Sequence, residues 1–246
     1  MRIVLPPSET KQPGGQDGSR LDWSSLVLPE LTATREAIAA DLVTLSSSSQ
    51  ASKALGLGAK GGEWLEANQQ LLRSPVMPTI ERYTGVVFDA LSYDTLDHAG
   101  KVRAGETLWL FSALFGPLLA TDLIPRYRLS FDSKLPGETL KARWNAHADA
   151  IWAHDFTIDL RSEGYRALAP LTPGAGVFIR VVKDLSGGVA AGHANKTTKG
   201  LFVRSILESG ARFNSGDDVL AWADDHGWRM APRTDAPGEL LLAVAD

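Results

Sequence analysis

Lysine and hydroxyl side chains recur directly after predicted strand ends, and these residue types bind anions and exchange protons. The densest group is HANKTTKG, residues 193–200, in which Lys196 and Lys199 lie on adjacent turns of a predicted helix. Asn195 can cap this helix and leave backbone amides free at its positive end, and Arg204 lies within reach of the same side. The segment predicts an anion site, with a solvated basic helix face as the alternative.

A second polar segment, PPSETK at residues 6–11, comes directly after the first predicted strand. In open sheets, ligands gather beyond the carboxyl ends of the strands. Ser8 and Lys11 are therefore candidates for nucleophilic or acid–base chemistry. An ordinary turn at a strand end is the alternative.

Two further segments have the same placement. Residues 159–166 (DLRSEGYR) follow a short predicted strand and offer the hydroxyls of Ser162 and Tyr165. Residues 124–129 (IPRYRL) contain Arg128, and a guanidinium can bind a carboxylate or phosphate through two parallel hydrogen bonds. A structural ion pair with a nearby aspartate is the alternative for an arginine in this segment.

LGLGAKGGEWL, residues 55–65, has the glycine spacing of a helix-hairpin-helix module. In such modules the glycines let the backbone approach a phosphate, and amides at the start of the second helix donate to its oxygens. A glycine-ended helix followed by another helix is the alternative, and Glu63 and Glu66 oppose a polyanion. The hairpin interpretation predicts DNA contacts from Gly56, Leu57, Gly58 and Lys60.

The elements that must position these groups mix strand and helix patterns without a regular βαβ repeat. Apolar runs predict strands at 2–6, 106–115, 156–160, 176–184, 188–193, 228–232 and 239–244. Helical spacing predicts helices at 31–45, 50–55, 60–73, 140–152, 197–210 and about 216–227. We expect a mixed α/β (α+β) fold in one domain over residues 1–246, with a mixed central sheet flanked by helices and a helix-hairpin-helix element at about 47–73.

Composition excludes several function classes. The 246 residues include no cysteine, which removes thiolate metal sites, iron–sulfur clusters and cysteine nucleophiles. The five histidines show no metal-binding spacing, so no metal site and no cofactor are expected. No apolar run is long enough for a membrane span, and a cytoplasmic protein is expected. The net charge of −4 requires any DNA contact to come from a local patch.

Five segments along the chain together resemble one family. They are LPPSETK, RYTGVVFDAL, LFSALFGPLLATDLIPRYRLSFDSKLP, DLRSEGY and NKTTKGLFVRSIL, and they resemble segments of the YaaA family of bacterial peroxide-stress proteins in the same order. The resemblance covers essentially the whole chain. NKxxKG with the downstream arginine, and the YRL segment, are its most specific parts.

The resemblance implies a fold peculiar to that family, in which a helix-hairpin-helix element lies beside a positively charged cleft. It also implies DNA binding and a role in limiting oxidative DNA damage through control of free iron. Carried over to this chain, the hairpin is Leu55 to Gly62. The implied cleft comprises Ser8, Lys11, Arg82, Tyr83, Arg128, Ser162, Tyr165, Asn195, Lys196, Lys199 and Arg204.

Two functional hypotheses result. The first is a DNA-binding protein that protects against oxidative stress, with phosphate contacts from the hairpin and the cleft. The second is an enzyme acting on a small anionic substrate, a nucleotide or an amino-acid derivative, and it requires the polar segments to converge on one pocket. In the enzyme, Ser8, Lys11, Tyr165, Lys196 and Lys199 are the candidate catalytic groups. Arg82, Tyr83, Arg128, Ser162, Asn195 and Arg204 would bind the anion.

Overall fold

A computed structural model describes residues 1–58, 61–190 and 192–245, and it has the expected mixed α/β architecture. Its strands are β1 (Arg2–Leu5), β2 (Met77–Pro78), β3 (Leu108–Ser112), β4 (Gly116–Leu119), β5 (Leu123–Ile124), β6 (Thr157–Asp159), β7 (Gly176–Asp184), β8 (Gly187–Val189), β9 (Met230–Pro232) and β10 (Glu239–Ala243). Every predicted strand region therefore contains a strand, although most strands are shorter than predicted.

The helices surround this sheet. They are α1 (Thr32–Ser46), α2 (Ala51–Ala54), α3 (Gly62–Gln69), α4 (Thr79–Arg82), α5 (Val86–Leu91), α6 (His98–Thr107), α7 (Leu140–Asn145), α8 (Ala148–Trp152), α9 (Glu163–Arg166), α10 (Gly192–Ser209) and α11 (Gly216–Asp225). Short 3-10 turns lie at Trp23–Ser25, Pro29–Leu31 and Tyr93–Thr95.

The main sheet is mixed, as expected. Seven strands have the order β4-β3-β1-β6-β7-β10-β9, and β8 pairs with β7 as a hairpin. The five inner strands run parallel, whereas β4, β9 and β8 are antiparallel to their neighbours. Because β1 and β6 are adjacent and parallel, the segments after them leave the sheet at the same edge.

One difference from the sequence prediction lies in the buried centre of the main sheet. The apolar run 106–115 is not a single strand: α6 extends to Thr107, β3 covers only 108–112, and the chain then turns back into β4. Gly116 makes the turn possible because its φ is 64° and a Cβ there would lie 2.5 Å from the ring of Trp144. The mainly apolar sequence 108–119 therefore contains two strands and a buried turn.

Two predicted helices also differ in their limits. The helix predicted at 140–152 is divided into α7 and α8, although Trp144 and Trp152 do share a surface, with ring centroids 6.1 and 6.0 Å from that of Phe111. The helix predicted to start at residue 197 starts at Gly192. Asn195 therefore lies in the first turn of α10 and is not its cap.

The predicted helix-hairpin-helix element is not confirmed. The first helix, α2, has only four residues, and α3 begins at Gly62 and has eight. Gly56 adopts a left-handed φ of 61°, and the half-buried Leu57 packs against the hydrophobic core. Lys60, the predicted point charge of the hairpin, lies outside the described residues. The hairpin interpretation of this segment therefore stays a prediction.

Candidate functional site

A cleft of about 520 Å³ lies beyond the carboxyl ends of β1 and β6. Three of the segments singled out by their polar residues meet there, together with the start of α5. Its walls are residues 6–10, residues 84–88, Ser162, Tyr165, Ala190, Gly192, Asn195, Lys196 and Lys199. Six candidate residues are therefore brought together: Ser8, Ser162, Tyr165, Asn195, Lys196 and Lys199.

Close packing of α10 against α5 builds one side of the cleft. A Cβ on Gly200 would lie 2.3 Å from the backbone oxygen of Val87 and 2.7 Å from the Cβ of Ala90. Only glycine permits this approach, because backbone atoms cannot move aside as a flexible side chain can. The glycine of the NKxxKG segment thus positions the two lysines beside α5.

Lys199 is the most unusual group in the cleft. Its side chain is buried, with 6% of the residue exposed, and its ammonium donates to the backbone oxygen of Arg161 at 3.3 Å. Within the described chain it makes no ion pair. An ammonium has three protons to donate, and the described residues supply an acceptor for one of them.

Burial lowers the pKa of Lys199 from 10.5 to about 8. The carboxylates of Asp159 and Glu163 act in the opposite direction, and the charge of Arg180 adds to the lowering. The Asp159 carboxylate is itself bound to the buried Arg161 at 2.7 Å, which limits its effect on the lysine. Lys199 is therefore close to the point at which it exchanges a proton near neutral pH.

The neighbours of Lys199 are also available to a ligand. Lys196 is exposed and has no ion pair among the described residues, and Asn195 and Ser162 make no side-chain hydrogen bond to that part of the protein. Free amide, hydroxyl and ammonium groups together can bind an oxyanion and a neutral hydroxyl. Asn195 and Lys199 lie on the same face of α10 because they are one helical turn apart.

The opposite wall is formed by hydroxyl groups. The Ser8 hydroxyl lies 3.1 Å from that of Thr10, and the Thr84 hydroxyl donates to Thr10 Oγ1 at 3.0 Å. Gly85, with φ of 100°, brings its backbone against them, since a Cβ there would lie 3.5 Å from both Ser8 Oγ and Thr10 Oγ1. The hydroxyl wall is therefore held by the start of α5 as well as by the exit from β1.

Tyr165 closes the base of the cleft as a neutral hydrogen-bonding group. The residue is 7% exposed, and its ring packs edge-on against Phe131 with centroids 5.3 Å apart. Burial raises the pKa of Tyr165, although a hydrogen bond with Ser130 acts in the opposite direction. The phenol thus stays protonated at neutral pH.

Glu9 reduces the positive charge at the mouth of the cleft. Its carboxylate pairs with Arg128 at 2.7 Å, so this arginine lies next to the cleft but is neutralised. The backbone of Arg128 is fixed in turn by Asn68 of α3, which donates to its carbonyl at 3.0 Å and accepts from its amide at 2.7 Å. Through this contact the second helix of the predicted hairpin helps to place Arg128.

Lys11 lies behind the cleft wall and not in it. Its ammonium donates to the carbonyl of Ser8 at 2.8 Å and sits over the ring of Tyr127, 4.3 Å from the centroid. Burial lowers the pKa of Lys11 well below its usual value, and the charge of Arg128 adds to this effect. The geometry favours a positioning role, in which Lys11 holds the backbone that presents Ser8 and Glu9.

Known proteins are similar to this chain over nearly its full length. The family model described as peroxide stress protein YaaA matches residues 1–234. A UPF0246 protein of Corynebacterium glutamicum is 41% identical over 251 residues, which cover 99% of this chain and 100% of the relative. UPF0246 proteins of Corynebacterium efficiens and Streptomyces coelicolor are 43% and 36% identical, over 99% and 97% of this chain and 100% and 95% of their own lengths.

The chain belongs to the YaaA family. The resemblance found in its motifs is thereby confirmed, and it extends over nearly the whole sequence.

Besides Lys11 and Arg128, three residues that the YaaA resemblance assigned to the cleft lie elsewhere. Arg82 is fully buried and donates to backbone carbonyls, including that of Ile124 at 3.1 Å. Arg204 donates to the carbonyls of Leu91 and Ser92 at 3.1 and 3.0 Å. Tyr83 is buried, with its hydroxyl 2.6 Å from that of Tyr127. These side chains have protein partners that consume their donors, so they support the cleft without lining it.

Other residues line the cleft of this YaaA-family protein without having been predicted. Thr84, Gly85 and Gly192 border it. Thr10, which belongs to the hydroxyl wall, was part of the predicted PPSETK segment. A signal for Thr84 and Gly85 was present in RYTGVVFDAL, where a threonine–glycine pair directly precedes an apolar helical run.

Two kinds of site are not found in the part of the chain that the structure describes. Residues 1–58, 61–190 and 192–245 contain no group of three or more His, Asp or Glu side chains placed to hold a metal ion. None of the helices in those same ranges has the length and apolar character needed to cross a bilayer.

Proposed function

We propose that this YaaA-family protein binds a small anionic ligand in the cleft beyond β1 and β6, with Lys199 as its main contact. The observation that carries the proposal is the Lys199 ammonium, which is buried, borders the cavity and lacks an ion-pair partner in the described chain. A buried charge without an ion-pair partner lowers the stability of the folded protein. An anion that enters the cleft would supply the missing partner.

The cleft suits a small molecule better than a polymer. Its volume of about 520 Å³ lies within the range of small-molecule sites, and its free charges, Lys196 and Lys199, are only two among the described residues. Duplex DNA is bound mainly through many phosphate contacts spread along a surface. The pairing of Arg128 with Glu9 further reduces the charge available to a polyanion.

The same lysine supports proton transfer at the site. A general acid or base works best when its pKa lies near the operating pH, and the pKa of Lys199 is lowered to about 8. The phenol of Tyr165 and the hydroxyl of Ser8 border the same cleft, as a proton donor and a candidate nucleophile. We therefore favour the enzyme hypothesis, with Lys199 as its acid–base group.

Isothermal titration with inorganic phosphate and pyrophosphate at pH 7 tests the proposal. Lys199→Met should weaken binding at least tenfold, because it removes the buried charge, and Lys196→Gln should weaken it several-fold. Lys141→Met is the matched control, since Lys141 is an exposed lysine of α7 outside the cleft. Equal binding by the wild-type protein and the Lys199→Met variant would remove the proposal.

DNA binding at the hairpin segment is a second candidate function. It is favoured by the surface around Gly56, which is bordered by Lys53 and Lys134 and has open space where a Cβ would stand. Against it, Glu63 comes directly after the turn and pairs with Arg126 at 2.9 Å.

A filter-binding series against salt tests this second function. A DNA-binding surface predicts a log affinity that falls by about 0.9 for each phosphate neutralised. Lys53→Gln and Lys134→Gln should reduce that slope, while Lys199→Met should leave it unchanged. Absence of binding at about 50 mM salt would exclude DNA as a ligand.

A further inference from the structure

A second cavity of about 680 Å³ adjoins the cleft. The two cavities share three lining residues, Ser162, Asn195 and Lys199, which form a polar seam between them. A molecule bound at the seam therefore has access to both spaces. The proposed function uses only the cleft and leaves the second cavity without a role.

The floor of the second cavity is an apolar face of the main sheet. Phe178, Arg180 and Val182 alternate onto one face of β7, and Leu241 of β10 is in register beside Arg180. Phe178 and Val182 are only 4% and 5% exposed, and the guanidiniums of Arg166 and Arg180 lie over the Phe178 ring. The part of this face that a ligand can reach is therefore the half-buried Leu241 beside Arg180. An aliphatic side chain beside a planar guanidinium favours a ring that lies against both.

The charged groups around this floor cancel one another. Arg180 pairs with Glu163 and with Glu239 at 3.1 Å, and Arg233 pairs with Asp235 and Glu239, each at 2.8 Å. Away from the seam, where Lys199 lies, the second cavity thus presents polar edges but no uncompensated charge among its described residues. In contrast, the cleft on the other side of the seam has the free ammonium groups of Lys196 and Lys199.

We propose that the ligand is a nucleoside phosphate whose phosphate lies in the cleft and whose base occupies the second cavity. This inference rests on the proposed function, since it uses the same lysines for the anion. The base is neutral and flat, with a polar edge, and matches the charge-balanced cavity. The hydroxyl of Ser162 and the amide of Asn195 lie at the seam, where the sugar hydroxyls would need donors and acceptors.

The second cavity favours nucleotides over amino-acid derivatives as ligands. An amino acid whose carboxylate is bound by Lys199 is too short to fill the second cavity and would leave its apolar floor wet. Burial of a nucleobase on that floor removes apolar surface from water on both partners. We therefore expect the base to add at least tenfold to the affinity of the phosphate alone.

A binding series at pH 7 compares inorganic phosphate, ribose 5-phosphate and the four common ribonucleoside 5′-monophosphates. At least one nucleotide should bind tenfold or more tightly than ribose 5-phosphate. If phosphate and ribose 5-phosphate bind but no nucleotide exceeds them, the nucleotide assignment is overturned and the anion site stands. If none of the compounds binds, the anion site itself fails.

Filling the second cavity gives an independent test. Leu241→Trp should reduce the affinity of the preferred nucleotide to that of ribose 5-phosphate and leave ribose 5-phosphate binding unchanged. Leu201→Trp is the matched control, because Leu201 is an exposed leucine of α10 that borders neither cavity. Ala231→Leu fills the same space less severely and serves if the tryptophan variant does not fold. Unchanged nucleotide affinity in a folded cavity variant would refute the placement of the base.

Discussion

Replacing Lys199 by methionine should make the protein more stable while it weakens anion binding at least tenfold. The pKa of this lysine falls from 10.5 to about 8 on folding because burial disfavours its charged form. A tenfold change in a protonation equilibrium is worth about 1.4 kcal/mol, so the charged lysine costs the folded state about 3 kcal/mol at pH 7. Methionine removes the charge and also the hydrogen bond to Arg161, which is worth about 1 kcal/mol.

The expected net gain in the free energy of unfolding at pH 7 is therefore about 2 kcal/mol, or a rise of about 4–8 °C in the melting temperature of a chain this long. The gain must depend on pH. Between pH 8 and 10.5 the unfolded chain binds a proton that the folded chain does not, so the wild-type protein gains stability from this group as the pH rises. By pH 9.5 the advantage of the Lys199→Met variant should have shrunk by about 2 kcal/mol.

Urea denaturation of both proteins at pH 7, 8.5 and 9.5 measures this difference directly, and it cancels the titration of all other groups that the two proteins share. Lys141→Met controls for the general effect of replacing a lysine by methionine, and should show no such trend. A variant that is less stable than the wild-type protein at pH 7, or a difference that does not change with pH, would show that Lys199 is not a strained buried charge. The reasoning for the anion site would then lose its main support.

Three other predictions concern the walls of the cleft. Gly200→Ala should destabilise the protein by about 1–3 kcal/mol in urea denaturation, because the new Cβ would lie 2.3 Å from the Val87 oxygen. Gly192→Ala on the same helix meets nothing within 4 Å and should have little effect, and an equal loss in both variants would contradict this packing. Glu9→Gln should raise pyrophosphate affinity about two- to fivefold by removing a carboxylate from the cleft mouth, so weaker binding would oppose it. Sulfate affinity should fall as pH rises through about 8 and Lys199 loses its proton, and a flat profile up to pH 10 would contradict that assignment.

The sequence was informative for polar residues that lie just beyond strand ends. Ser8 and Ser162 could be predicted to meet because each lies at such a position, and β1 and β6 prove to be parallel neighbours. Arg82 and Arg204 could not be judged in the same way. The sequence does not show whether an arginine donates to carbonyls inside the protein or is free to bind a ligand. That depends on which acceptors the fold places around it.

The limits of the elements were harder to predict than their existence. Gly116 lies within a continuous apolar stretch, and nothing in the pattern separates β3 from the turn after it. The second cavity was not predicted at all, because it depends on the register that sets Leu241 beside Arg180. Register between strands far apart in sequence is decided by the whole sheet and not by local residues.

The contact at Gly200 has a consequence for how a ligand gains entry. Because Gly200 packs directly against the backbone of α5, the two helices cannot move closer together there. The two helices therefore form one fixed wall of the cleft. The opposite wall is the short segment after β1, in which the exposed Glu9 forms an ion pair with the mostly buried side chain of Arg128. Thr84 of the α5 side and Lys11 hold the same segment through hydrogen bonds to Thr10 and to the Ser8 carbonyl, so we expect ligands to enter a cleft whose walls are already in place.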